Sequence, residues 1–436
     1  MSVPRPLRLP GLLSVIATLW RRLRRRVGRQ PSLPVRRAAD AAAPVDAPLP
    51  PPPDLPPCPV DRIEVIDACP VCGGAERTRV CRYNKLILSV HPPDEASYKY
   101  DYCLCHDCGV VSARRRPAGN RYAWLIEHFE ETLGRVEVGQ RLAGKAVLSS
   151  YRLTDDDRAD LRARAARGVF VSDHAGISRK EFLPALLTDR LSNSVHVELL
   201  GSLLQLRQPR VLEIRSRVGS ISAALQRMFG ATTCAMALFE SQQLLITEVY
   251  GIPAALGIDY DRFTIPFEGT FDLIVANHMF THAIRPREML QTLRDRLTDD
   301  GSVYLFNEPD EGEFLAQGKS IFNTLNAFHM QAFDAPSLQR ALEANGFSVT
   351  FMTLYQGTHI CLARKAERSD AWERIARRSR DRRMHAYRKA QDVAALLLPV
   401  FARGRLREPW DTLLARSMES GLAEVNRKGN VKVRRV

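Results

Sequence analysis

The stretch VLEIRSRVGSISAALQRMFG, residues 211–230, decides the fold of this chain. Its first four residues form a short, mostly apolar run, Gly219 follows in a turn, and apolar side chains then recur at helical spacing. Gly230 is placed to end the helix. A buried strand, a tight turn and an amphipathic helix in this order form the opening unit of a nucleotide-binding α/β domain.

The turn in this unit departs from the usual pattern. A carboxylate normally ends the strand and glycines then let the backbone approach the ligand, which here points to Glu213 and to positions 215, 217 and 219. Two of those three positions are Arg215 and Arg217, and a Cβ with a long cation at each obstructs a close backbone approach. If either position needs a positive φ, arginine also costs about 1 kcal/mol or more.

Strand-like and helix-like stretches alternate regularly after residue 211. Further strands are predicted at CAMALF (234–239), AALGID (254–259), FDLIVAN (271–277), DDGSVYLFNEPD (299–310), FSVTFMTLY (347–355) and THICLARK (358–365). Helices are predicted between them, and the final strand is expected to run antiparallel to its neighbours. The pattern predicts a doubly wound α/β sheet, with the ligand over the carboxyl ends of its first and fourth strands.

A cysteine cluster precedes this domain. CPVCGG and CLCHDCG supply two CxxC pairs, Cys69 with Cys72 and Cys105 with Cys108, each followed by glycine. Two such knuckles place four thiolates around one ion, so the spacing predicts a structural zinc site in a reducing compartment. Cys103 and His106 are competing ligands, whereas Cys58 and Cys81 are interpreted as ordinary cysteines. The segment between the knuckles is long enough for a β-hairpin.

Composition divides the rest of the chain into an expected domain order. We predict a basic, Pro-rich leader and linker (1–60), a zinc module (61–115), a helical connection (116–209), the α/β domain (210–365) and a basic helical tail (366–436). The apolar run at 10–20 is too short for a membrane helix, and its dense arginine cluster follows it, unlike a signal peptide. We therefore expect a cytoplasmic protein.

The net charge of +14 comes from the two ends of the chain. Residues 1–37 carry ten Arg and no acid, whereas residues 38–364 carry 34 basic and 40 acidic residues. Because the folded body is mildly acidic, a nucleic-acid substrate is not expected. The basic ends are interpreted as solvated segments, with contact to anionic surfaces as the alternative. The sequence indicates no particular oligomeric state.

The later blocks of the chain carry a resemblance to a known family. VLEI at 211, IPFEGTFDLIVANHMFTHAIRP at 265, LTDDGSVYLFNEP at 297 and LEANGF at 342 resemble class I S-adenosylmethionine-dependent methyltransferases with an N-terminal zinc-ribbon-like module. The resemblance covers residues 65–112 and 190–365. It implies an α/β, Rossmann-like, seven-stranded methyltransferase sheet and S-adenosylmethionine as cofactor. Relatives with this two-part layout often methylate sugars or other small molecules, so a small polar acceptor is expected.

The resemblance also implies roles for individual residues. The cofactor would be contacted by the strand acid, the last glycine of the turn, a helix acid, the acid after the third strand and the fourth-strand amide: Glu213, Gly219, Glu240, Asp259 and Asn277. Ala237 stands where the ribose-binding acid is normally found, so Glu240 is its substitute or an ordinary helix acid. Asp261 competes with Asp259.

Candidate catalytic groups follow the fourth strand, where the fold faces the methyl group. Either His278 or His282 could deprotonate an acceptor, since histidine titrates near neutral pH. The other interpretation is that His278 packs against the cofactor region and His282 caps a helix. Four acids after the fifth strand, together with His329, either line a substrate pocket or form a solvated loop. These acids are Glu308, Asp310, Glu311 and Glu313.

Two functions remain open at this point. The first is methyl transfer, driven mainly by alignment because the sulfonium donor is already activated. The second is a methyltransferase-like binding module that has lost the cofactor. In that case the arginines at the start of a helix would hold an anionic ligand such as a phosphate or carboxylate.

Overall fold

A computed structural model defines the elements of the protein, all within the compact unit Pro57–Val436. It describes residues 63–81, 100–117, 155–167, 190–216, 218–238, 240–312, 328–355, 357–368, 377–385, 387, 423–425 and 431–433. The strands are β1 (Ile63–Val65), β2 (Arg77–Cys81), β3 (Tyr102–Cys105), β4 (Val111–Ala113), β5 (Arg115–Pro117), β6 (Arg210–Ile214), β7 (Thr232–Ala237), β8 (Ala254–Leu256), β9 (Phe271–Asn277), β10 (Leu297–Pro309), β11 (Gln331–Ala332), β12 (Phe347–Tyr355), β13 (Thr358–Lys365), β14 (Ala423–Val425) and β15 (Val431–Val433). The helices are α1 (Asp155–Ala166), α2 (Arg190–Leu203), α3 (Ser220–Phe229), α4 (Glu240–Tyr250), α5 (Pro286–Asp295) and α6 (Ala335–Glu343).

A seven-stranded mixed sheet forms the centre of the protein, in the order β12-β13-β10-β9-β6-β7-β8. The five strands from β10 to β8 are parallel, and β13 runs antiparallel to both β10 and β12. This is the Rossmann-like methyltransferase sheet expected from the sequence, including its antiparallel final strand. The carboxyl ends of β6 and β9 are neighbours, so the two segments predicted to form the ligand site meet at one edge of the sheet.

Local sequence signals explain where the helices begin and end. Gly219 precedes α3 and Gly230 follows it, both with the positive φ that suits glycine. Pro286 occupies the first turn of α5, and the helix buries Met289, Leu290 and Leu293 along one face. In α6 the Asp334 side chain accepts from the Ser337 amide, which makes a capping box.

Helices cover the sheet and bury an apolar core. On one side, α2 and α3 pack their apolar residues against β6, β9, β10 and β13 in a single cluster. A smaller cluster joins α4 to β7. His196 in α2 lies within the larger cluster, where its Nδ1 is 2.8 Å from the hydroxyl of Tyr304. This buried histidine is therefore a packing residue, and burial lowers its pKa to about 4.

The N-terminal module has a small sheet that is completed by the α/β domain. β2, β3 and β4 form an antiparallel ladder, which confirms the hairpin expected between the knuckles. The two-residue strand β11, which follows β10 along the chain, then pairs with β4 as a fourth strand. The backbone of the α/β domain thus continues the sheet of the N-terminal module.

The basic C-terminal region contributes one buried contact to this arrangement. Residues 377–385 are helical, and Arg383 on this segment is only 3% exposed. Its guanidinium contacts Glu311 through two hydrogen bonds of 2.8 Å and donates to the Gly109 carbonyl beside the second knuckle. Farther on, β14 and β15 pair in an antiparallel ladder that the composition did not indicate.

None of the described helices is both long enough and apolar enough to cross a lipid bilayer.

Gly219 and Gly251 form a matched pair for testing how α3 is packed. A Cβ at Gly219 would lie 2.9 Å from Ile246 Cγ1, whereas a Cβ at Gly251 would meet nothing within 4 Å, and both residues have positive φ. We expect Gly251→Ala to lower the free energy of unfolding by about 1 kcal/mol through backbone strain. Gly219→Ala should lower it by about 2–4 kcal/mol, since overpacking is added.

Chemical denaturation of the two variants beside the unmodified protein measures this difference. Equal losses for both variants would show that the contact between Gly219 and α4 is not tight.

Candidate functional site

The two cysteine knuckles converge on one point. The Sγ atoms of Cys69, Cys72, Cys105 and Cys108 all lie within 4.8 Å of one another. The closest pairs are Cys69 with Cys108 at 3.7 Å and Cys72 with Cys105 at 3.6 Å. Zn–S bonds of about 2.3 Å place tetrahedral sulfurs about 3.8 Å apart, so the cluster has the dimensions of a four-thiolate zinc site.

The backbone around the cluster closes both knuckles. Gly73 donates to the Cys69 carbonyl, Gly109 donates to the Cys105 carbonyl, and both glycines have positive φ. The Cys105 sulfur raises the pKa of the Cys69 and Cys108 thiols well above the ordinary value. A divalent cation bound among the four sulfurs would displace the thiol protons.

Both competing ligands lie elsewhere. The Cys103 sulfur is 3.5 Å from the Asp101 carbonyl, and His106 Nε2 is 2.8 Å from the Thr78 hydroxyl. The other His106 nitrogen, Nδ1, is 3.2 Å from a guanidinium nitrogen of Arg380. Cys81 is buried outside the cluster, and Cys58 lies outside the described residues.

The turn between β6 and α3 is held by an internal hydrogen-bond network. The buried Glu213 carboxylate accepts from the Ser222 amide at 3.0 Å and from the Ser222 hydroxyl at 2.5 Å. The Ser216 hydroxyl accepts from the Gly219 amide at 3.0 Å. Burial raises the pKa of Glu213, although these hydrogen bonds oppose the shift. In this structure Glu213 anchors the turn, and Gly219 supports its packing against α4.

Arg215 occupies the cleft between the two central strands. Its φ of 56° keeps the left-handed conformation that a glycine would adopt at this position. Its guanidinium Nη1 donates to the carbonyl of His278, at the end of β9, over 2.8 Å. The side chain therefore crosses from the β6 turn to the β9 loop. Arg217 lies outside the described residues.

The remaining cofactor candidates surround the same edge of the sheet. Asn277 ends β9, and its side-chain oxygen accepts from Asn307 at 2.9 Å. Exposed Asp259 accepts from the amides of Asp261 and Arg262 and so shapes the loop after β8. Glu240 begins α4, but its side chain lies outside the described set. The Asp261 carboxylate pairs with Arg285 at 2.8 Å, so its partner differs from those of the Asp259 carboxylate.

Three histidines gather at the carboxyl end of β9. His278 and His282 come from the loop and short 3-10 turn after the strand, and His329 comes from the segment before β11. Their ring centroids are 4.6 Å apart for His278 and His282, and 5.0 Å from His329 to each of the others. The sequence placed the first two near the methyl position. It left His329 between a substrate pocket and a solvated loop.

Glu308 fixes the turn that carries two of these histidines. Its buried carboxylate accepts from the Phe280 amide at 2.6 Å, from the Thr281 amide at 3.0 Å and from the Thr281 hydroxyl. Burial raises the pKa of Glu308, and the three donors oppose that shift. The sequence analysis left Glu308 between a pocket and a solvated loop, whereas the structure places it inside the protein as a support for the histidine turn.

The N-terminal module holds the third histidine. The Tyr102 hydroxyl donates to the His329 carbonyl at 3.1 Å, and the Ala113 amide donates to the carbonyl of the next residue, Met330, at 2.9 Å. The Met330 amide in turn donates to Thr281 at 2.8 Å. The backbone beside the metal-type cluster is therefore connected to both sides of the histidine group.

The electrostatic environment keeps His282 neutral. Burial, followed by the Arg215 guanidinium and the two neighbouring histidines, lowers the pKa of His282 well below its ordinary value. His282 Nδ1 is 3.0 Å from the Phe328 carbonyl, which only accepts hydrogen bonds. The proton is thus assigned to Nδ1, and the lone pair to Nε2.

Two other acids from this region lie against buried basic side chains. Asp310 lies 2.9 Å from His359 Nε2 in β13, and Glu311 pairs with Arg383. They connect the end of β10 to β13 and to the C-terminal segment. Glu313 lies outside the described residues.

Comparison with known proteins agrees with this architecture. Residues 181–350 match the family model described as a methyltransferase domain, a range that includes β6 to β11, the histidine group and most of the sheet. Residues 181–350 therefore form a domain of the methyltransferase type, preceded by a four-cysteine module that fits a zinc ribbon. A comparison with curated protein sequences found no match.

Solved structures of low sequence identity also align with this domain. An S-adenosylmethionine-dependent methyltransferase from Mesorhizobium loti is 12% identical, with 41% of this chain and 99% of that chain covered at a TM-score of 0.34. A TehB-like S-adenosylmethionine-dependent methyltransferase from Corynebacterium glutamicum is 16% identical, with 48% and 98% covered at a TM-score of 0.33.

Proposed function

We propose that this protein transfers a methyl group from S-adenosylmethionine to a small polar acceptor. The observation that carries the proposal is the group of His278, His282 and His329 at the carboxyl end of β9, across from the β6 turn. In a doubly wound sheet this edge is the ligand-binding position. Imidazoles at this position supply proton acceptors beside a bound acceptor molecule.

The backbone conformation of the turn after β6 suits the cofactor, whereas the side chain of Arg215 opposes its entry. Position 215 keeps a left-handed φ and Gly219 keeps the start of α3 close to α4, with Glu213 anchoring both. The Arg215 guanidinium donates a hydrogen bond to the His278 carbonyl. It would have to leave that carbonyl, or share it, when a cofactor enters. Asn277, Asp259 and Glu240 are the proposed contacts for the rest of the cofactor.

Proton removal is assigned to the histidines. S-adenosylmethionine supplies an activated sulfonium methyl, so the protein mainly has to align the acceptor and hold or remove its proton. His282 is neutral with its lone pair on Nε2 and can therefore accept a proton, but its lowered pKa makes it a weaker base than a free imidazole. His278 is the second candidate base, on the same turn.

Binding of an anionic ligand is the second candidate function. The favouring observation is Arg215, a cation held at the entrance to α3, where the helix amides also attract negative charge. In this version the methyltransferase-like domain binds a phosphate or carboxylate compound without methyl transfer.

We further propose that the four cysteines hold one structural zinc ion. The donor set, the sulfur distances and the glycine-closed knuckles support it. We also keep the domain limits expected from the sequence. A cytoplasmic location would suit the free thiols. The basic ends of the chain would contact anionic surfaces. A nucleic-acid substrate is not proposed, because the central region is mildly acidic.

Calorimetric titration with S-adenosylhomocysteine tests the cofactor. We expect binding to the zinc-loaded protein, and about tenfold tighter binding to Arg215→Gly. The variant removes the guanidinium that would have to leave the His278 carbonyl, an effect of about 1.4 kcal/mol on binding. Arg227→Ala, which removes the same charge near the end of α3, should leave the affinity unchanged.

Absence of heat in both the unmodified protein and Arg215→Gly at sub-millimolar ligand would contradict cofactor binding. The anionic-ligand function would instead be supported by phosphate binding that disappears in Arg215→Gly and persists in Arg227→Ala.

Metal analysis of cysteine variants tests the zinc site. We expect Cys105→Ser to lose the thiolate-bound zinc, because it removes one of four ligands. Cys103→Ser should keep it, since that buried sulfur lies two residues away and contacts the Asp101 carbonyl. Equal thiolate-bound zinc in both variants would place the ion elsewhere, and its absence from the unmodified protein would refute the site.

A further inference from the structure

A second metal-type cluster lies at the carboxyl end of β9, apart from the four cysteines. One nitrogen of each of His278, His282 and His329 lies within 4.8 Å of the other two. A tetrahedral ion with bonds of about 2.0 Å to nitrogen needs N···N separations of about 3.3 Å. Shifts of about 1 Å in the positions of the three imidazole rings would bring their nitrogens to that separation.

The backbone on both sides of the cluster is fixed before any ion binds. Glu308 holds the turn of His282 through two amides, and Tyr102 holds the carbonyl of His329. The hydrogen bond from Met330 to Thr281 joins the two sides. Ligands supported in this way lose little freedom when they coordinate an ion.

The orientation of His282 suits a ligand. Its Nδ1 lies 3.0 Å from the Phe328 carbonyl, and metal-binding histidines usually donate their second nitrogen to such a carbonyl. Nε2 then carries the lone pair. His282 and His278 are four residues apart on the same turn, and His329 approaches from the opposite segment, so the three imidazoles converge from two sides.

We propose that His278, His282 and His329 form a site for one borderline divalent transition metal, such as Co²⁺ or Zn²⁺. Three imidazoles select such ions over Mg²⁺ and Ca²⁺, which prefer oxygen ligands. The nearby Arg215 guanidinium opposes positive charge at the site, and an anionic oxygen as the next ligand of the ion would offset that repulsion.

The role of this ion rests on the proposed function. With the ion bound, the three imidazoles would serve as its ligands and not as bases. The metal would bind the acceptor oxygen, acidify its hydroxyl so that the proton passes to water, and stabilise the resulting negative charge before methyl transfer. Metal binding itself does not depend on the cofactor, so the two proposals can fail separately.

Cobalt titration of the full-length protein tests the site. The protein is first loaded with one equivalent of zinc, which fills the four-thiolate site, and Co²⁺ is then added while visible absorption is recorded. We expect one further equivalent, with d–d bands and without the intense thiolate-to-cobalt charge-transfer bands. His329→Gln and His278→Gln should each abolish this second equivalent, and His385→Gln, at an exposed histidine of the C-terminal segment, should retain it.

Each outcome decides the proposal. No second equivalent at micromolar Co²⁺ in the unmodified protein overturns it, as does a second equivalent retained in both His329→Gln and His278→Gln. Extended X-ray absorption of the unmodified protein at two equivalents, one zinc and one cobalt, provides a check that needs no variant. Nitrogen-only coordination around cobalt supports the site, and sulfur coordination overturns it. Binding of S-adenosylhomocysteine, measured separately, reports on the cofactor site of the proposed function and not on the metal site.

Discussion

The pairing of β4 with β11 is the constraint on which the site depends. β4 follows the second cysteine knuckle, and β11 follows His329, so two hydrogen-bonded strands connect the cysteine module to the histidine group. Tyr102 adds a side-chain bond to the same segment. A short strand of two residues has little stability of its own, so β11 needs the ladder that the knuckles hold in place. The module therefore acts as the support for one side of the candidate active site.

A second support comes from the C-terminal segment. Arg383 lies between Glu311, just after β10, and the Gly109 carbonyl in the second knuckle. A buried guanidinium is tolerated because a carboxylate and a carbonyl satisfy it, and removing one partner would leave an uncompensated charge. The cysteine module, the β10 end and the basic tail thus share one buried ion pair. Arg215, on the turn after β6, brings a further positive charge to this region and adds to the effect of burial in lowering the pKa of His282.

Sequence reasoning recovered what is encoded in local patterns. Alternating apolar strands and helices gave the seven-stranded sheet, and the CxxC spacing gave the four-cysteine cluster. It could not find the contacts that depend on distant segments. β11 has two residues and pairs with a strand more than two hundred positions earlier, and no local pattern marks it. Arg383 is one of many arginines in its region, and only the folded structure separates it from the exposed ones. The same limit explains why the sequence left His329 between a substrate pocket and a solvated loop, although it completes the histidine group.

Hydrogen exchange of the full chain, with zinc bound and after chelation, tests most directly whether the cysteine module supports the site. Mass spectrometry of backbone amides would follow residues 328–333 and 111–113, with the central strand β9 as the internal reference. We expect faster exchange at residues 328–333 and 111–113 after zinc removal, and little change in β9. Unchanged exchange at 328–333 in protein that has lost its zinc would contradict it.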